Sequence, residues 1–447
     1  MGTNIDDKLK RLKKERELRA RVSRARPGSV EHAWEKIDRA EELSVKEKLQ
    51  KLIDLTGAKK EKKPGRPTSE PVPREPLLFY ENPYPLQTRY GKSTLADGLK
   101  IKGDVLCYLG RDSAWEALDL STALFVDLET TGLSGGTGTV PFLVGMGYYR
   151  DDRFHVTQYF LGELAEEERM IKELGRFFSE MNFQSVVTYN GKAFDMPLLE
   201  TRFILYRQPF PLSELPHLDL LFSARSLWKH KHESCRLSHL AQQIVEAERA
   251  EDIPSAEIPY RYFDFIRTGN FSLMEPVLYH NQEDILSLLG LVIAASKLFL
   301  EGREPLAEEE FDAMDMIGVG KVFESAGHVE KSMELFQRAL EGDLPQELAL
   351  HVKRKLSYHF KKNEDWEKAI SLWQDLSQED QIFCYRELAM YFEHRAGKLE
   401  EAKRVTEEGL TLSMNVSLNL KKDFEHRLER LNDKIRRLQA KAKKARP

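Results

Sequence analysis

The chain has 447 residues, enough for two or three domains and at least one sizeable core. Hydrophobic residues make up 41% and charged residues 32%, a balance that excludes a collagen-like, mucin-like or wholly disordered polypeptide. The formal net charge of -5 hides basic ends around an acidic centre: residues 1–66 hold 20 Lys/Arg against 12 Asp/Glu, and residues 421–447 hold 11 against 4.

No run approaches the roughly 18 apolar residues of a membrane span, and the charged start has no apolar h-region. Cys107, Cys235 and Cys384 lie far apart, which argues against a disulfide framework. A cytoplasmic protein without membrane association is expected. The basic ends fit either contact with nucleic acid or plain solvated helices.

Residues 1–60 read as charged helix with an amphipathic stretch over 30–55, and 59–76 as a Pro-rich linker, so that 1–76 form a separate N-terminal region. Residues 77–120 show no clear period and stand as a lead-in segment. Then short apolar runs over 123–128, 140–149 and 154–160 predict three strands. Their short connections, among them the turn Arg150-Asp151-Asp152, predict an antiparallel meander. A helix over 166–181, a strand over 184–189, a helix over 195–206, a strand over 218–221 and a long helix over 276–299 follow. The pattern describes an α/β domain over 121–303, a mixed five-stranded sheet with flanking helices.

Beyond 304 the chain reads as all helix. Ser332, Ala369 and Ala402 recur at intervals of 37 and 33, each four residues before Phe336, Trp373 or Thr406. That interval is close to the roughly 34-residue tetratricopeptide period, so 304–420 is expected to be an all-α, tetratricopeptide-like domain. Residues 421–447 read as a basic helical tail.

The chemistry begins at Asp127-Leu-Glu129, at the end of the first strand of the meander. Residues two apart share a face of a strand, and two carboxylates beside an apolar run repel unless cations neutralise them. Oxygen donors favour hard divalent ions. Asp195 follows a strand and opens a helix. Asp284 lies on the last long helix, with His280 one turn earlier on the same face.

Asp127-Leu-Glu-Thr-Thr-Gly-Leu133, then Tyr189-Asn-Gly-Lys-Ala-Phe-Asp195, then His280-Asn-Gln-Glu-Asp284 resemble, in order, the three motifs of the DEDD superfamily of 3′→5′ exonucleases, which have an RNase H-like fold. The resemblance implies phosphodiester hydrolysis with two divalent ions, Mg²⁺ or Mn²⁺, held by Asp127, Glu129, Asp195 and Asp284. It implies His280 as general base and contacts to the terminal nucleotide from Thr130, Thr131, Gly132, Leu133, Asn190 and Tyr279.

The superfamily's histidine form places its base five residues before the aspartate, where Tyr279 stands, and its tyrosine form four before, where His280 stands. His280 is favoured because Tyr279 would turn away by about 100°. Asp219, at the end of the fifth strand, is expected to be structural first and a substrate contact second. His230, His232, Cys235 and His239 match no standard zinc spacing and are expected to be surface residues.

Arg249-Ala-Glu-Asp252-Ile-Pro254, Ile258-Pro259 and Tyr262-Phe263 are similar to a bacterial mitomycin-repair exonuclease family with tetratricopeptide-like helices. DNA as substrate, in repair, and a DEAD-box-type helicase as partner follow from that resemblance alone. An RNA-trimming enzyme and a catalytically silent nucleic-acid-binding scaffold, its repeats recruiting a protein partner, are the competing readings. A pure scaffold has no need of four mutually repelling carboxylates.

Overall fold

The computed structural model describes residues 76–132, 138–249, 252–299, 311–413 and 418–444. The expected N-terminal region up to residue 75 and Leu133 lie outside the described residues. Among the described residues, no helix is long and apolar enough to cross a membrane.

Six strands form one mixed sheet: β1 (Leu77–Pro85), β2 (Ala123–Thr130), β3 (Pro141–Arg150), β4 (Arg153–Leu161), β5 (Ser185–Thr188) and β6 (His217–Asp219), in the order β1-β4-β3-β2-β5-β6. β2, β3 and β4 make the antiparallel meander, while β2–β5 and β5–β6 pair in parallel. Asp151 and Asp152 both take left-handed backbone conformations (φ 50° and 55°) in the two-residue turn joining β3 to β4, as the twist of a tight hairpin requires.

Among the described residues the sheet therefore has six strands and not five. The addition is β1, antiparallel to β4 from Leu77↔Leu161 to Pro85↔Arg153. Its Pro83 and Pro85 disguise it in the sequence, but an edge strand tolerates residues that cannot donate to a ladder on the open side. Residues 77–120 also send Leu106, Leu109 and Trp115 into the core, so this segment packs as part of the α/β body.

Helices cover both faces: α1 (Gly103–Gly110), α2 (Glu167–Met181), α3 (Asp195–Leu205), α4 (Leu220–Trp228), α5 (Ile258–Thr268) and α6 (Glu275–Lys297). Strand β2 divides its side chains between two cores. Leu124, Val126 and Leu128 join the one built with α2, α3 and α5, whereas Ala123 and Phe125 join the one built with α1, α4 and α6. Strand parity then puts Asp127 and Glu129 on the Phe125 face, toward α6.

The all-helical C-terminal region comprises α7 (Ala313–Ser325), α8 (Val329–Ala339), α9 (Gln346–Lys362), α10 (Trp366–Gln378), α11 (Ile382–His394), α12 (Leu399–Ser413) and α13 (Leu418–Lys444). They pack as α7/α8, α9/α10 and α11/α12, with α13 laid against α12. The recurring Ser332, Ala369 and Ala402 all fall in the first turn of a pair's second helix and are fully buried, as are Phe336, Trp373 and Thr406 to within 1%. Small residues there let the paired helices approach closely.

Candidate active site

The carboxylates come from three elements. Asp127 and Glu129 project from the end of β2, where the ladder with β3 shifts register between Glu129 and Thr130. Asp195 is the first residue of α3, and Asp284 lies on α6 one turn after His280. Burial raises the pKa of Asp127 well above the usual range, and the nearby Asp284 and Asp195 raise it further. Glu129 is raised by burial and then by Asp127, Asp284 and Asp195. Burial and the neighbouring Asp219 lift Asp195 to about 7.

Four carboxylates within one another's field are costly without cations, and an all-oxygen donor set suits hard divalent ions. Oδ1 of Asp284 is buried and its close partner is the Arg249 guanidinium, a cation already held against this carboxylate. The residues thus fit a divalent cation. Among the described residues, no three His, Cys, Asp or Glu side chains are gathered into a formed metal cluster. Instead Asp284 ion-pairs with Arg249 at 2.6 Å, and Asp127 is bonded by Asn281.

His280 is buried, with Nδ1 2.5 Å from Asp252 Oδ1 and Nε2 3.5 Å from Asp284 Oδ2 and 3.8 Å from Glu129 Oε1. Asp252 also binds Arg249 Nε at 2.9 Å. Burial pushes the Asp252 carboxyl up, but the hydrogen bond and field of His280, with the Arg249 guanidinium and the Ile253 N–H, hold it below the usual range. Tyr279 is half-buried on a different side of α6, within the field of Tyr84.

Asp219 is buried and accepts three backbone N–H groups, from Asn190 (2.7 Å), Lys192 (3.1 Å) and Leu221 (3.2 Å). It caps α4 and holds the loop that delivers Asp195, with Asn190 in a left-handed conformation (φ 68°). Thr130 Oγ1 donates to Gly132 O and Thr131 Oγ1 accepts from Val140 N, so these residues shape the turn leaving β2. Phe194, beside Asp195, is 58% exposed.

Of the histidines near 235, His230 Nε2 bonds the carbonyl of Met314 at 2.6 Å, and the His232 and His239 rings stand 6.2 Å apart. His230 thus ties to α7, and His230, His232, Cys235 and His239 are half-buried where surface residues were expected. The contribution that sequence reasoning missed is Asn281, although its place three residues before Asp284, on one helical face, was a usable signal.

The fold and the site define a class. Residues 124–296 match the RNase H superfamily, whose members are generally nucleases. The family is fixed by a relative: the chain is 33% identical over 377 residues, 82% of its length and 86% of the other's, to the uncharacterized protein YprB of Bacillus subtilis (strain 168), and belongs to the same family. A family B DNA polymerase from the archaeon Pyrobaculum calidifontis superposes with a TM-score of 0.33 at 16% identity, over 49% of this chain and 28% of that one.

Proposed function

We propose that the chain is a divalent-metal-dependent exonuclease that shortens DNA from its 3′ end in the service of DNA repair. One observation carries the reading: Asp195 and Asp284 both stand within electrostatic reach of Asp127 and Glu129, and His280 Nε2 faces Glu129 and Asp284. Asp127, Glu129, Asp195 and Asp284 would hold the two cations, Mg²⁺ or Mn²⁺. Bound there, such ions supply a water that ionises near neutral pH and neutralise charge on the phosphate.

The protein's own groups do the rest. Asp252 accepts the Nδ1 proton of His280, which leaves the Nε2 lone pair to take a proton from the attacking water. Asn281 fixes the Asp127 carboxylate, and Asp219 fixes the loop before Asp195. The exposed Phe194 ring offers the terminal base a stacking platform. Thr130, Thr131, Gly132 and Asn190, next in sequence to the carboxylates or in the loop before Asp195, would contact the terminal nucleotide.

We read 121–303 as the nuclease domain and 304–420 as tetratricopeptide-like repeats, followed by the 421–447 tail. A DEAD-box-type helicase as partner rests on sequence resemblance. Digestion of 5′-labelled single-stranded DNA and RNA with Mg²⁺ or Mn²⁺ tests polarity and polymer together. A ladder shrinking from the 3′ end of DNA supports the proposal; one-step release of the 5′ label, or cleavage of RNA alone, overturns it.

A further inference from the structure

The joint between the α/β body and the helical region is tight. A Cβ on Gly318 of α7 would stand 2.5 Å from the carbonyl oxygen of Leu227 in α4, so the two helices meet backbone to backbone. Beside that contact His230 bonds Met314, and Lys231 is matched by two acids, Asp312 at 2.9 Å and Asp315 at 2.7 Å. The joint thus holds its neighbours at fixed positions.

The next cations along the joint have no such match. Lys229 follows the end of α4, and Lys321 lies one turn beyond Gly318 on α7. His351, Arg354, Lys355 and Tyr358 occupy α9 at the i, i+3, i+4 and i+7 spacing of a single helical face, about 10 Å long. Lys355 pairs with Glu324, but among the described residues Lys229, Lys321 and Arg354 pair with no carboxylate. Lys321 is half-buried, and burial together with the facing Lys355 and Lys229 pushes its ammonium pKa down; Glu324 is the acid that opposes this. Four cations gathered across three elements, of which Lys355 alone is paired with a carboxylate among the described residues, make a site short of negative charge.

Aromatic faces interleave with the charges. The Arg354 guanidinium lies 4.7 Å over the Phe383 ring of α11, and the exposed Tyr358 stacks on the same ring at 5.8 Å. Repeated cations along a helix face, with planar rings between them, suit a flexible polyanion that carries bases. The opposite end of α4 is capped by Asp219, the neighbour of Asp195, and nine helical residues set the two ends roughly 14 Å apart.

We propose that Lys229, Lys321, Arg354 and Lys355, with Tyr358, form a binding seam for the phosphate backbone of the nucleic-acid strand whose 3′ end occupies the carboxylate recess. The proposal rests on the nuclease reading and extends it: the helical region holds substrate several nucleotides upstream of the cut.

The test uses the full chain with Lys321→Gln and Arg354→Gln together, and Lys368→Gln on exposed α10 surface as control. Anisotropy of labelled single strands of about 6 and about 30 nucleotides is followed across a KCl series in EDTA. For the long strand the double variant is expected to bind about tenfold or more weakly, with a log–log salt slope smaller by about 1.4. The short strand and the control variant should bind as wild type does.

Unchanged affinity and slope for the long strand would overturn the seam, as would equal weakening of both strands. Loss of the difference on adding orthophosphate at constant ionic strength would overturn it too, by marking a site for small anions. Cleavage of the short strand with Mg²⁺ reports the nuclease reading separately. Wild type that trims nothing sinks that reading whatever the seam does. Normal trimming by the double variant with unchanged long-strand binding sinks the seam alone.

Discussion

Asn281 of α6 donates from Nδ2 to Oδ2 of Asp127 at 2.8 Å and to the Asp127 carbonyl at 3.2 Å, tying the helix to the strand at a residue crowded by Asp284 and Asp195. The amide is held in turn, because its Oδ1 accepts from Gln158 Nε2 at 2.9 Å and Gln158 also bonds the Leu278 carbonyl. Gly145 of β3 makes the room, since a Cβ there would stand 2.1 Å from Asn281 Oδ1.

Asn281→Ala is therefore expected to slow DNA trimming about 10–100-fold, the usual effect of losing a group that orients a ligand residue. Gly145→Ala should do the same by displacing the amide, though residue 145 touches no substrate. Turnover at saturating Mg²⁺ checks both; activity within twofold of wild type in each would remove Asn281 from the site's support.

His280→Ala is expected to lower kcat about 10²–10⁴-fold, as loss of a general base does. Tyr279→Phe should leave kcat within a few-fold. Asp252→Asn should fall between them. The reverse order for His280 and Tyr279, measured as single-turnover rates, would reassign the base.

Metal-stripped protein should lose stability as pH rises. Asp127, Glu129 and Asp284 have raised pKa values and Asp195 titrates near 7, so these carboxyls bind more protons folded than unfolded; buried His217 and His230, lowered to about 4, oppose this below about pH 6.5, and the carboxyls dominate above it. The gradient of unfolding free energy with pH is then negative in that upper range. Thermal melts in EDTA should give a lower Tm at pH 8 than at pH 6.5, and Mn²⁺ should restore more at pH 8. A Tm in EDTA that climbs over that interval would contradict the repelling cluster.

Glu393 behaves in the opposite sense. Its side chain is fully buried between Arg427, Arg430 and Lys434 of α13, and those partners outweigh burial and hold its pKa at about 2. Because the folded value lies below the ordinary 4.5, its stabilisation is present above pH 4.5 and disappears as pH falls toward 2. Solvent around Arg430 and Lys434 discounts it to about 1–3 kcal/mol. Glu393→Ala should loosen α13, seen as faster amide exchange over Leu418–Lys444, with the carboxylate recess untouched.

Much of this arrangement was legible in the sequence, and the gaps have physical causes. The strand-end placement of Asp127 and Glu129 was legible because strand parity and the adjoining apolar run need only local information, while their chemistry was marked by motif resemblance; the turn at Asp151-Asp152 was likewise local. Strand β1 did not, because Pro83 and Pro85 break the alternation that its edge position permits. Arg249 and Asp252 could be marked by resemblance, but their embrace of Asp284 and His280 is a contact across about thirty residues that no local period encodes. The pairing of Lys321 with the α9 stripe is hidden for the same reason.

Phe194→Ala should raise KM for single-stranded DNA about 5–100-fold while leaving Tm unchanged, since an exposed ring contributes stacking to a base and little to the core. A drop in Tm with unchanged KM would make it a packing residue.

The central claim is tested most directly by 3′-trimming of end-labelled DNA with Mg²⁺ or Mn²⁺, comparing wild type, Asp127→Ala and wild type in EDTA. Stepwise shortening by wild type alone is the expected result. Undiminished trimming by Asp127→Ala, or no trimming by any of the three while DNA binding persists, would contradict a carboxylate-held metal centre as the source of activity.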